Sequence, residues 1–151
     1  MSQISLRHTL AIAGLVGGIF CIDQTTKYFF SRFPSKEILP HLLSTTQHQN
    51  YGLLANLPVP MPLIIGLTLS VCLALLVLYK KNPHPKTSFL LALGLILGGA
   101  FGNMYDRLVH GFVFDWILLF SRSIINIADI SIAFGILCWI FSTRQTKLDQ
   151  Q

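Results

Sequence analysis

Charge is what this chain has least of. Only 11% of its 151 residues are charged, 11 basic and 6 acidic, against 52% apolar, whereas a soluble domain carries about 25% charged residues. That shortage, with a mean hydropathy of +0.61, excludes an ordinary water-soluble domain. Cysteine is scarce as well: Cys21, Cys72 and Cys138 fall within apolar segments, and no CxxC spacing occurs. They read as small packing residues, which leaves disulfide, redox and thiolate-metal chemistry unsupported. No HExxH is present, and His48 and His110 lack a second ligand at metal spacing. Both are read as interfacial residues; no metal, no other cofactor and no nucleic-acid partner is expected.

What the chain has in quantity is hydrocarbon. Three stretches, His8 to Ile22, Ile38 to Tyr79 and Thr87 to Tyr105, contain no charged residue, and a fourth, Ser123 to Thr143, contains only Asp129. A spanning helix needs about 20 mostly apolar residues. The sequence therefore predicts helices near 9–30, 61–79, 88–106 and 124–142, an all-α membrane protein built as a four-helix bundle. The remainder is a segment between the first two helices, a Lys/Pro turn at Lys80 to Lys86 and two short tails, so one domain over 1–151 is expected. A cleaved signal peptide is the weaker reading of the first segment, because the run continues through Asp23 and Lys27 without a small-residue cleavage pattern. Arg7, Lys80, Lys81, Lys86, Arg144 and Lys147 fall on one side, and Lys27, Arg32, Lys36, Arg107 and Arg122 on the other. That slight excess places both termini in the cytoplasm.

Two of the few acids stand at informative places. With this topology the third helix runs outward and ends near Gly111, and the fourth starts near Ile124 and returns. Asp115 then lies just past one helix end and Asp129 about one and a half turns, or ~8 Å, inside the other, so the two carboxyls can meet near the outer membrane boundary. Ionisable groups beside hydrocarbon are expensive and usually functional. Two carboxyls in contact share a proton, one activating water while the other protonates a carbonyl, as an aspartic peptidase requires. Spacing alone leaves a second account open, with Asp115 a solvated loop residue and Asp129 a buried carboxylate satisfied by donors such as Arg122. A small transport or proton-relay bundle using Asp23, Asp115 and Asp129 is a third. It calls for acids spread through the membrane depth and an internal repeat; here they gather at one face and no repeat is seen.

The words around the acids narrow the choice. Gly98-Gly99-Ala100-Phe101-Gly102-Asn103-Met104-Tyr105-Asp106-Arg107, then Asp115, then Asn126-Ile127-Ala128-Asp129, closely resemble the signature of the lipoprotein signal peptidases, or signal peptidase II. Asp23-Gln24-Thr25-Thr26-Lys27 resembles that family's DQxTK motif, and Asn50-Tyr51-Gly52 its NxG motif. The resemblance implies an aspartic endopeptidase of the bacterial inner membrane that cuts the signal peptide from diacylglyceryl-modified prolipoproteins, immediately before the lipidated cysteine. It implies Asp115 and Asp129 as the catalytic dyad and Asn50, Gly52, Asn103, Arg107 and Asn126 as substrate-binding positions. Asp23, Lys27 and Asp106 are supporting residues on this reading, with Asp106 steering Arg107. Partners implied are lipidated prolipoprotein, membrane lipid and the inhibitor globomycin, for a monomer with its active site near the outer face.

Plainer roles remain for several of these positions. Arg107 can pair with Asp106 or reach a lipid phosphate, and Asn103 and Asn126 can act as interhelical glue worth about 1 kcal/mol each. Gly94, Gly98 and Gly102, four apart on one face, are expected to permit close helix packing, with Gly14 and Gly18 repeating the pattern. Tyr105-Asp106 also occurs in presenilin-type proteases, but their GxGD motif is absent and they are much longer. The chain departs from the signal peptidase II pattern after Gly52, where Leu53-Leu54-Ala55-Asn56 replaces small residues and Phe, and in a short Asp115 to Asn126 connection that allows only a small lid. Between Ser31 and Leu57 a little β-structure and a surface helix are expected.

Overall fold

The structure is a computed structural model that describes residues 6–53, 57–82 and 84–148, with side chains as far as Ser142. These residues form four helices and four strands in the order α1 Leu6–Phe30, β1 Glu37–Leu39, β2 Leu43–Asn50, α2 Met61–Lys81, α3 Thr87–His110, β3 Val113–Leu119, β4 Ser123–Ile125 and α4 Ile127–Leu148. The protein is mostly helical, and α1, α2 and α3 are long and apolar enough to cross a membrane. The fourth helix is apolar over Ile127–Ser142, a shorter stretch.

Local chemistry sets the helix ends. Pro60 caps α2 and Pro62 sits in its first turn, where a missing N–H costs nothing, and Lys80 and Lys81 close its last turn. Gly111 ends α3 in the left-handed region at φ 78° and returns its N–H to the Arg107 carbonyl. Helix α3 is the hub, packed on α1, α2 and α4, and its glycines explain how. A Cβ on Gly98 would stand 2.8 Å from Ile19 Cβ, one on Gly102 2.5 Å from Asp23 Oδ2, and one on Gly99 would collide with the Ala128 carbonyl. Gly14 and Gly18 differ from expectation: a Cβ on either would meet nothing within 4 Å among the described residues, so neither marks a close helix contact there.

At the end of the bundle that carries the acids, the expected small β-element extends beyond residues 31–57. The strands form one antiparallel sheet in the order β1-β2-β3-β4. Val113, Asp115 and Ile117 of β3 are buried and point to one face while Phe114 and Trp116 take the other, and Trp116 stacks on Phe30 at the end of α1, 3.8 Å between centroids. The expected β-structure after Ser31 is β1 and β2, but no helix accompanies it among the described residues of 31–57. The hairpin between β3 and β4 turns through Phe120 and Ser121, both at positive φ. Ile124 and Ile125, expected inside the fourth helix, belong instead to strand β4, so α4 starts three residues later than 124.

Candidate active site

Asp115 belongs to a strand, not a loop, and Asp129 to the first turn of α4, shallower than the one and a half turns inferred from spacing. Asn126 precedes α4 and forms a reciprocal cap: its Oδ1 accepts the Asp129 N–H at 2.9 Å, and its own N–H is accepted by Asp129 Oδ2 at 3.2 Å. This is the capping-box arrangement with Asn and Asp in place of Ser and Glu. The Asn126 side chain, fully buried, donates its Nδ2 to Asp115 Oδ1 at 2.6 Å and to Asn103 Oδ1 at 3.0 Å. Asn103 in turn donates to Asp129 Oδ1 at 2.8 Å. The two carboxylates are thus joined through two amides.

On the sheet side, β2 brings His48 opposite Asp115 and Asn50 opposite Val113. Side chains two residues apart on neighbouring strands lie diagonally within reach, and Asn50 Nδ2 meets Asp115 Oδ2 at 3.0 Å. Asn50 Oδ1 also accepts the Gly52 N–H at 3.0 Å, folding the Asn50-Tyr51-Gly52 segment into a turn whose Gly52 carbonyl accepts from Arg107 at 3.1 Å. Arg107 donates a second bond to the Asn103 carbonyl, and its Nε is buried without a partner among the described residues. Burial is the main reason the Asp115 carboxyl is pushed up from its ordinary 3.8 to about 6, with the Asp129 charge adding to the rise and bonds from Asn50 and Asn126 opposing it.

Behind the amides sits a buried ion cluster around one cation. Lys27 reaches Asp23 at 2.7 Å, Asp106 at 2.8 Å and Asn103 Oδ1 at 3.1 Å, all three N–H groups in use. Since Lys27 and Asn126 both donate to Asn103 Oδ1, the Asn103 amide is fixed with its Nδ2 toward Asp129. Asp23 also accepts the Ala128 N–H at 2.9 Å, holding the positive N-terminal end of α4. Asp106 was expected beside Arg107; it faces Lys27 and Gln24 instead and accepts the Phe114 N–H at 3.3 Å. Residues i and i+1 on a helix point in different directions.

Asn50, Asn103, Arg107, Asp115 and Asp129 line one cavity of about 470 Å³, together with His48 and Arg122, to which sequence reasoning gave no part in the site. Gln24, which bonds Asp23, Asp106 and the Gly102 carbonyl, was also passed over although it stands inside the Asp23 to Lys27 motif. Cys21 is exposed, Cys72 buried and Cys138 half-buried, all as free thiols. An arrangement of two carboxylates, donor amides and a guanidinium at the end of apolar helices can bind an extended peptide backbone and hydrolyse it.

A family model described as signal peptidase (SPase) II matches residues 15–144. The lipoprotein signal peptidase of Moorella thermoacetica is 36% identical over 132 residues, 80% of this chain and 85% of the relative. That of Sinorhizobium fredii is 31% identical, over 95% of this chain and 98% of its own. A solved structure described as a bacterial membrane enzyme superposes with a TM-score of 0.84 at 27% identity, covering 93% of this chain and 91% of that one. A second, described likewise, gives a TM-score of 0.77 at 28% identity over 87% and 91%.

Proposed function

Because the chain belongs to the signal peptidase II family, we propose that Asp115 and Asp129 are the catalytic pair of this membrane aspartic endopeptidase. The protein removes signal peptides from prolipoproteins. The observation that carries the residue assignment is that both carboxylates line one cavity at the sheet-bearing end of the helices and are joined through the Asn103 and Asn126 amides.

Asp115, whose carboxyl is pushed up to about 6, holds the shared proton. Asp129 takes a proton from a water whose oxygen attacks the scissile carbonyl carbon, while Asp115 gives its proton to the carbonyl oxygen. The tetrahedral diol collapses: the C–N bond breaks as the proton held by Asp129 passes to the departing nitrogen, and one diol hydroxyl returns its proton to Asp115, which restores the pair. Arg107 and Asn50, together with the backbone turn at Gly52, receive the extended substrate, whose unpaired amides lipid cannot satisfy. Lys27, Asp23 and Asp106 hold the Asn103 amide and the start of α4 in place.

The substrate is a diacylglyceryl-modified prolipoprotein cut before its lipidated cysteine. All four helices span the inner membrane of a bacterium as a single domain over 1–151, with both termini cytoplasmic and the sheet on the outer face. The enzyme works as a monomer among membrane lipids, and globomycin occupies the substrate position. A gel-shift assay of lipidated prolipoprotein cleavage in detergent tests the reading. Cleavage by the native chain and none by folded Asp129→Asn is the expected result; equal cleavage by both overturns the dyad.

A further inference from the structure

A second cavity, of about 810 Å³, lies on the opposite face of the sheet from the dyad. Gln49 and Phe114 are register partners that line it, whereas their chain neighbours His48 and Asp115 are partners that line the dyad cavity. Alternation along the strands therefore separates the two spaces. Neither dyad carboxylate reaches the second one.

Its lining has a definite chemical preference. The rings of Tyr105 and His110 lie 6.2 Å apart and those of His110 and Phe112 6.0 Å apart, with Tyr28 and Phe114 completing an aromatic wall. Gln24 donates its Nε2 to Asp106, and Gln47 donates its own to the carbonyls of Phe30, Ser31 and Phe33. Each is left with an Oε1 that accepts nothing among the described residues. Among the described lining residues the one Lys or Arg is Lys27, which is 4% exposed and has every N–H engaged. A phosphate would find no free cation among the described lining residues, and the one lining carboxylate, Asp106, is paired with Lys27 at 2.8 Å. Just outside, the Arg32 guanidinium lies 3.9 Å above the Tyr28 ring. The same helical turns expose Phe29, Leu108 and Val109, the surface a spanning helix turns to lipid chains.

We propose that this cavity binds the headgroup of a zwitterionic phospholipid, its ammonium held by aromatic faces and amide oxygens, its phosphate by Arg32, and its chains along α1 and α3. Ammonium groups are attracted to ring faces within about 6 Å, and the free acceptors of Gln24 and Gln47 suit its three donors. Lipid binding there is independent of the peptidase assignment.

Calorimetric titration of the full chain in detergent with dihexanoylphosphatidylethanolamine and with dihexanoylphosphatidylglycerol reads the preference directly. The ethanolamine lipid is expected to bind at least about tenfold more tightly. Gln49→Trp, which fills the cavity from the sheet, should abolish that binding while prolipoprotein cleavage continues, and Tyr105→Ala should weaken it by about tenfold should the tryptophan variant not fold. Equal or tighter binding of the glycerol lipid, or unchanged affinity in the folded variants, overturns the proposal. Displacement of the ethanolamine lipid by lipidated prolipoprotein also overturns it, assigning the cavity to the substrate's own lipid.

Discussion

The two ends of the helix bundle are filled by opposite chemistry. Away from the sheet, Ile12, Cys72, Leu75, Leu93 and Ile96 make an apolar cluster; beside the sheet, Asp23, Lys27, Asn103, Asp106, Asp115 and Asn126 are all buried. In lipid the first end gains little from hydrophobicity, since hydrocarbon surrounds the bundle anyway, and is held mainly by packing. The second cannot find water for its polar groups and must satisfy them internally. Precision at the dyad therefore comes from a closed set of hydrogen bonds, and the apolar end supplies tolerance.

The sharpest way to break the polar end is at its reacting atoms. Asp115→Asn and Asp129→Asn should each lower turnover by at least about 1000-fold, and the double variant should be no worse than either single one, because the pair acts as a unit. Single-turnover cleavage of lipidated substrate measures this. The fold should survive each change, since the carboxylates touch amides that an Asn can partly satisfy.

Next comes the cation behind them. Lys27→Met leaves Asp23 and Asp106 buried and unpaired, a change that costs about 3–5 kcal/mol, and it frees the Asn103 amide to turn away from Asp129. Thermal unfolding in detergent should show the loss, and kcat should fall while KM holds. Gly102→Ala, whose Cβ would stand 2.5 Å from Asp23 Oδ2, should reproduce part of it without altering any charge.

The same comparison has a pH signature. Asp115 is raised in the fold to about 6, so the folded state binds more protons than the unfolded one between about pH 4 and 6. The stability this confers is full below pH 4 and is lost as pH rises through 6. Relative to Asp115→Asn, the native chain should thus gain up to about 3 kcal/mol as pH falls across that window. The acid form of Asp115 disappears over the same range, so kcat/KM should decline above about pH 6. Losing the Asn50 bond, which lowers Asp115, should move that limb to higher pH in Asn50→Ala. A pH-independent stability difference between native and Asp115→Asn chains would contradict the assignment.

How much of this was legible in the sequence divides along the same line. Scarce charge and long apolar runs were enough for the helices, and the motif residues do come together, because the few polar groups of such a chain must find one another. The sheet was hidden. Asp115 in the middle of Val113–Leu119 looks like a loop residue, and the strand exists only by pairing with β2, some 65 positions earlier in the chain. The short apolar run Val113–Leu119, rich in aromatic and β-branched residues and interrupted only by Asp115, was the available signal. The start of α4 was likewise marked by Asn126 and Asp129 at capping-box spacing, but an apolar window slides past it. Adjacency misled at Asp106, whose partner is Lys27 on another helix.

At the apolar end effects should shrink. Leu93, fully buried in the cluster, should cost about 1–2 kcal/mol as Leu93→Ala, the packing share of an ordinary core truncation without its transfer share, and kcat should not change.

The smallest expected effect separates two glycines on facing helices that look alike in sequence. Gly94 would bring a Cβ to 2.6 Å from Leu15 Cδ2, the tip of a flexible side chain, whereas Gly14 has nothing within 4 Å. Alanine is favoured over glycine inside a helix by about 1 kcal/mol. At Gly14 that gain is unopposed, so Gly14→Ala should raise the unfolding temperature slightly. At Gly94 the same gain is offset by moving Leu15 and parting α1 from α3, so Gly94→Ala should be neutral or mildly destabilising. Cleavage should be retained in both, because neither backbone site touches the hydrogen-bonded cluster around Asn103. If Gly14→Ala instead lowered both stability and turnover, the outer face of α1 would be in contact with something other than lipid, and the division between a tolerant apolar end and an exacting polar one would have to be redrawn.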